Sequence, residues 1–249
     1  MTVWIEAGLW GLLAGGALVL GALVAWFVRV PRPVVATVMA FGAGVLISAL
    51  SFDLVDEAEE LGGLWPTVAG FLGGAVVYVA ANVALAHKGA RHRKRSGELQ
   101  PSEKEQAGSG TAIAIGALLD GVPESVVLGV SLLGGGGVAL PVLAAIFISN
   151  VPEGLSSSAG MKASGRSARY VFGVWVGIAV ASGVAGALGA LLLDGAAPEA
   201  IAVITAIAAG AILAMVADTM IPEAFERTHL YAGLIATLGF ITAFVIERA

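Results

Sequence analysis

Eight stretches of this chain stay apolar for about the 20 residues that a helix needs to cross the hydrocarbon core of a bilayer. They cover 7–28, 34–55, 64–86, 110–133, 138–160, 168–193, 199–221 and 230–246. Backbone surrounded by hydrocarbon has to satisfy its own hydrogen bonds, so runs of this kind become helices. The composition leaves little for a soluble core: 58% of residues are hydrophobic and 12% charged, against about 25% charged in ordinary globular domains. The expected fold is all-α, a polytopic membrane protein with eight transmembrane helices in one domain over 1–249, and the lipid bilayer is its first partner. The first run is long and lacks the basic start of a cleavable leader, so it is expected to be retained as a helix. There is no cysteine, which removes disulfide frameworks and thiolate metal sites. Glycine is abundant, and small residues let helices approach closely; such faces permit a homodimer without requiring one. Gly134-Gly135-Gly136-Gly137 reads as a short turn between the fourth and fifth spans.

Basic residues set the expected orientation. Arg29 and Arg32, then Lys88, Arg91, Arg93, Lys94, Arg95 and Lys104, then Lys162, Arg166 and Arg169, and Arg227 all fall in alternate connections. By the positive-inside rule these connections are cytoplasmic, and both termini lie outside the cytoplasm in a multi-pass cell (inner or plasma) membrane protein. The chain then divides into helices 1–3 over 1–87, a cytoplasmic loop over 88–109, helices 4 and 5 over 110–160, and helices 6–8 over 168–249. The connection after the third span is polar and basic, and reads as a solvated, flexible loop.

Two similar boxes interrupt the fourth and fifth apolar runs: Asp120-Gly121-Val122-Pro123-Glu124-Ser125 and Ser149-Asn150-Val151-Pro152-Glu153-Gly154. A carboxylate in mid-membrane costs about 2.5 kcal/mol or more, so it requires a partner or a wet cavity. Residues three and four apart share a helix face. Asp120 and Glu124 therefore point one way on the fourth helix, and Ser149, Asn150 and Glu153 one way on the fifth. Each proline releases a backbone carbonyl, and carboxylates beside released carbonyls are suited to holding a cation. The alternative is a pair of protonated carboxyls hydrogen-bonded across a helix interface. Further candidates for a path are Ser48 and Asp53 in the second span, the latter within the acidic cluster of Asp56, Glu57, Glu59 and Glu60, and Asp218 and Glu223 near the end of the seventh. Helix packing is the favoured account of Ser48, and a solvated edge accounts equally well for the acidic cluster.

A longer echo links Gly44-Val45-Leu46 and Glu57-Ala58 to Gly210-Ala211-Ile212 and Glu223-Ala224, at a constant spacing of 166 residues. The two spans run in opposite directions, as in an inverted repeat of three helices on each side of the central two, a 3+2+3 arrangement.

With these boxes and this span order, the whole chain resembles the ZIP (Zrt/Irt-like) family of divalent-metal transporters, whose fourth and fifth spans carry His-Asn-x-Pro-Glu-Gly-like boxes. The resemblance implies metal bound by Asp120, Glu124, Ser149, Asn150 and Glu153. It implies transport into the cytoplasm of zinc or a related ion such as Mn²⁺, Fe²⁺ or Cd²⁺, as substrate and with no organic cofactor. The sequence departs from that pattern where the family's histidine is Asp120, its neighbour is Gly121, and the first position of the second box is Ser149. The resulting donor set is all oxygen, which suits Mn²⁺ or Mg²⁺, whereas zinc prefers some nitrogen or sulfur. No phosphate loop or nucleotide motif is present, so an ATP-driven pump is not expected, nor a nucleic-acid partner or enzyme activity. The alternatives are a metal sensor that has lost transport and an intramembrane enzyme using paired carboxylates.

Overall fold

The computed structural model describes residues 2–94, 100–133 and 137–248, and these are helical with no strand among them. Among the described residues, eight helices are long and apolar enough to span a membrane: α1 (Val3–Phe27), α2 (Arg32–Gly62), α3 (Leu64–Ala90), α4 (Ser109–Ser131), α5 (Leu140–Ala163), α6 (Ala168–Leu193), α7 (Pro198–Glu226) and α8 (Tyr231–Arg248). The chain is thus an all-α polytopic membrane protein. Residues 134–136 of the glycine run lie outside the described residues, as does Arg95.

Burial separates the centre of the bundle from its rim. In the most apolar stretch of each helix, 61% of α4 and α5 is buried, against 17% of α3 and 11% of α8. Leu72, Val76 and Val77 of α3 and Leu234, Leu238 and Val245 of α8 all face outward. Such a surface would aggregate in water, whereas in a bilayer it meets acyl chains of its own polarity.

Two helices extend furthest past their apolar runs. α2 continues to Gly62 and α7 to Glu226, past the points where hydropathy ends them, and each contains a π-helical turn near that point. These turns are Leu50–Leu54 in α2 and Val216–Met220 in α7. A π turn takes up an extra residue without breaking the helix. Pro222 follows the second turn at the start of the next α-helical segment, where its missing N–H costs little. The acidic end of α2 stays attached because Ala58 is buried against Ala202 and Ala206 of α7.

The two π turns lie 166 residues apart (216 against 50), the spacing already seen in the sequence echo. The packing obeys the same relation. In the α2–α8 pair, Gly44 lies against the Ala236 carbonyl and Gly239 against the Phe41 carbonyl. In the α3–α7 pair, Gly210 lies against the Phe71 carbonyl and Gly74 against the Ile207 carbonyl. α2 thus meets α8 as α7 meets α3, as the inverted arrangement of helices 1–3 and 6–8 requires.

The connection between α3 and α4 departs from the solvated loop expected of it. α3 ends in a π turn, Ala86–Ala90, in which Gly89 has φ 97°. That left-handed backbone is inexpensive only for glycine, and beyond it Ala90, Arg93 and Lys94 are buried. The far end of the connection is clasped to α4. The Glu103 carboxylate accepts the backbone N–H groups of Gly108 at 2.8 Å and Gly110 at 2.6 Å, and Arg166 donates to it at 3.2 Å. These donors, the backbone pair foremost, hold the Glu103 carboxyl below its ordinary value of 4.5. A carboxyl whose value is lowered on folding stabilises the fold above its unfolded value and stops doing so as pH falls through the folded one. The clasp is therefore expected to be intact above pH 4.5 and to loosen as pH falls below it. Hydrogen exchange at Gly108 and Gly110 should accelerate over that range, and Glu103→Gln should accelerate it at neutral pH.

Candidate functional site

Asp120, Glu124, Ser149, Asn150 and Glu153 are all buried to 3% exposure or less. Their helices, α4 and α5, run uninterrupted through Pro123 and Pro152, so the five residues keep the shared faces expected of helical spacing. Asn150 donates to the Ala14 carbonyl of α1 at 3.0 Å, and Ser149 to the Ile146 carbonyl one turn back at 2.9 Å. Both are thus oriented by backbone.

Asp120 and Glu153 have cationic partners, which come from the connection after α3. Arg93 donates to Asp120 through Nε at 3.0 Å to Oδ2 and through Nη2 at 2.9 Å to Oδ1. This two-pronged fork is the strongest geometry available to a guanidinium and a carboxylate. Tyr78 of α3 donates its hydroxyl to Asp120 Oδ1 at 2.6 Å and receives Arg93 Nη2 at 2.8 Å. Arg93 Nη1 donates to Asn82 Oδ1 at 2.6 Å. Lys94 Nζ lies 2.7 Å from Glu153 Oε2 and 3.4 Å from Asp120 Oδ2. Arg93 and Lys94 are only 2% and 3% exposed, so both charges are held inside the bundle.

Local structure makes room for them. A Cβ at Gly116, one turn before Asp120, would fall 2.6 Å from Arg93 Cδ, so glycine there forms the slot for the arginine stem. α5 supplies the polar anchors. Ser156 donates to the Lys94 carbonyl, and Gln100 donates to the Arg93 carbonyl at 2.9 Å and the Ser157 carbonyl at 3.1 Å. Three carboxylates, Asp120, Glu124 and Glu153, therefore share the centre with two fixed cations. Oε1 of Glu124 is buried without a hydrogen-bond partner among the described residues. Among the described residues no three His, Asp or Glu side chains are grouped closely enough to hold a metal ion; two of the three central carboxylates are turned to Arg93 and Lys94 instead.

The remaining path candidates divide. Asp218 reaches the central network through Asn82, whose Nδ2 lies 3.5 Å from Asp218 Oδ2. Glu223 is buried, with Oε1 3.1 Å from the Ser156 hydroxyl oxygen, beside the Lys94 backbone. Asp53 lies apart, in a separate cleft of about 450 Å³ with Asp56, Glu57, Glu60, Glu247 and Arg248. Ser48 is fully buried in α2 and its hydroxyl has no partner among the described residues.

Sequence reasoning missed Tyr78, Asn82, Arg93, Lys94, Gln100 and Ser156. Tyr78 and Asn82 did carry a signal: they are polar groups four residues apart in the third apolar run, on one face of α3. Arg93 and Lys94 carried the opposite signal, because a basic cluster just beyond a span reads as an exposed anchor. The chain matches no known protein-family model and no curated protein, so the chemistry of this site rests on its own residues.

Proposed function

We propose that the chain carries divalent metal cations across a cell membrane into the cytoplasm, through a site formed by Asp120, Glu124 and Glu153 of α4 and α5. In this reading it is a transporter of the ZIP type, with the basic connections on the cytoplasmic side and both termini outside. The observation that carries the proposal is the placement of three carboxylates from two matching Pro-Glu boxes at the buried centre of the bundle, one of them with an unpartnered oxygen. Intramembrane carboxylates gathered between inverted repeats are the usual substrate sites of alternating-access carriers. Oxygen donors favour a hard ion such as Mn²⁺, and Zn²⁺, Fe²⁺ and Cd²⁺ accept carboxylates as well. Asp218 and Glu223 then line the inner part of the path, while Asp53 and its acidic neighbours raise the local cation concentration in the outer cleft.

A second reading is favoured by the engagement of Asp120 and Glu153 with Arg93 and Lys94: a protein that senses metal without moving it. Flux separates the two. Proteoliposomes containing the wild-type chain are expected to take up at least one of Mn²⁺, Zn²⁺, Fe²⁺, Cd²⁺ and Mg²⁺ saturably, and Glu153→Gln is expected to reduce that flux at least about tenfold, the loss from removing about 1.4 kcal/mol of ion stabilisation. Equal leakage of every ion through both proteins overturns transport.

A further inference from the structure

Arg93 and Lys94 bring two positive charges to Asp120 and Glu153, and a divalent cation brings the same two. We propose that these side chains are a tethered counter-ion pair that competes with the divalent ion for Asp120 and Glu153, so that the ion occupies the site only as the segment bearing them withdraws. The inference rests on the transport reading above and concerns how the same site is regulated.

The charge balance is the first argument. In a low-dielectric interior two carboxylates cannot be left without compensation, so whatever removes one set of cations has to supply another. A monovalent ion replaces only half of the pair. The exchange therefore favours divalent ions before any difference in ligand chemistry applies.

The attachment of the segment is the second. The side chains are gripped by charge, through the Asp120 fork and the Lys94–Glu153 contact. The backbone is tied to α5 by Ser156 and Gln100. Of the residues flanking them, Ala90 joins the apolar core, while Arg91 is exposed. Once an ion neutralises Asp120 and Glu153, the largest attraction holding the segment is gone. What remains is the Arg93 donation to Asn82 and Tyr78 and a few backbone hydrogen bonds, all of which water can replace.

The position of the segment is the third. It enters from the α3–α4 connection and passes beside Glu223 and, through Asn82, Asp218. Withdrawal therefore uncovers Glu223, frees Asn82 from Arg93 beside the already exposed Asp218, and opens the site toward the side from which the segment came. An ion arriving from the opposite side would free its own way out. Gly116 sets how deeply the arginine can seat, and Gly89 sets the reversal that aims the chain inward.

The test uses the full chain in nanodiscs, with Mn²⁺ and Cd²⁺ as probes. Equilibrium binding is measured for wild type, Lys94→Gln and Gly116→Ala. The last displaces Arg93 without removing any charged group. In parallel, acylation of Lys94 by an amine reagent is followed by mass spectrometry with and without ion, against Na⁺ at equal ionic strength. If the occupied arrangement holds about nine molecules in ten, its loss tightens apparent binding about tenfold in both variants. Lys94 of the wild type should become reactive with Mn²⁺ or Cd²⁺ and stay protected with Na⁺. Binding of the probe to wild type with Lys94 still protected, or affinities unchanged in both variants, overturns the competition and leaves transport standing. Absence of binding by all three proteins removes the transport reading and this inference with it. Should Lys94→Gln fail to fold, Gly116→Ala and the wild-type acylation decide the matter alone.

Discussion

Replacing Arg93 with alanine in the absence of metal is expected to destabilise the protein by about 3–5 kcal/mol, the usual cost of stripping one partner from a buried ion pair. Asp120 would keep only the Tyr78 hydroxyl and the more distant Lys94 ammonium. Most of the loss is the uncompensated charge of Asp120 and not the absent contact, so Arg93→Ala combined with Asp120→Asn should recover much of it. Arg93→Lys should recover little. The arginine reaches both Asp120 oxygens, Tyr78 and Asn82 from one planar group, and a single ammonium cannot reproduce that fan. Thermal unfolding of the detergent-solubilised chain measures all three. An Arg93→Ala protein as stable as wild type would mean that the fork contributes nothing to the fold.

The second large effect is expected at the helix crossings of the repeat. A side chain at Gly44 would enter the Ala236 carbonyl of α8, and one at Gly210 the Phe71 carbonyl of α3. These obstacles are backbone, which cannot rotate away as a side chain can. Gly44→Val and Gly210→Val should therefore each cost at or above the upper end of the about 1–3 kcal/mol usual for overpacking. The two losses should be similar because the crossings are related by the repeat. Gly16 is a control on α1, since nothing lies within 4 Å of a Cβ added there, and Gly16→Val should leave folding yield nearly unchanged. A Gly44→Val protein that folds as well as Gly16→Val would refute the close crossing.

The eight spans were legible because apolar length is what a bilayer demands, and the helices begin within a few residues of where hydropathy starts them. Their ends were less so. Hydropathy closes the second span at Val55 and the seventh at Ile221, but the π turns carry α2 and α7 into acidic sequence where no apolar signal persists. The inverted relation was legible in the 166-residue echo, because close-packed glycines such as Gly44 and Gly210 have to recur at related crossings. Burial of Asp120, Glu124 and Glu153 was legible from their position in apolar runs. What compensates them was not. Hydropathy assigns Arg93 and Lys94 to the aqueous side, and nothing local in a basic tetrad says that two of its members fold back over 27 and 59 residues to reach their partners.

The order of residues along the chain bears on how such a protein is made. Arg93 and Lys94 come before Asp120, and Asp120 before Glu153, so a ribosome releases the counter-charges ahead of the carboxylates they will meet. α5 combines the lowest mean hydropathy of the eight helices, 1.2, with Glu153 at its middle, and is the span that a translocon has least reason to accept from its own sequence. By the time it emerges, α1 to α4 have been synthesised together with the lysine that pairs with Glu153. Biogenesis of the weakest span then draws on a partner already in place, and a chain permuted to begin at α5 would have to insert that glutamate alone.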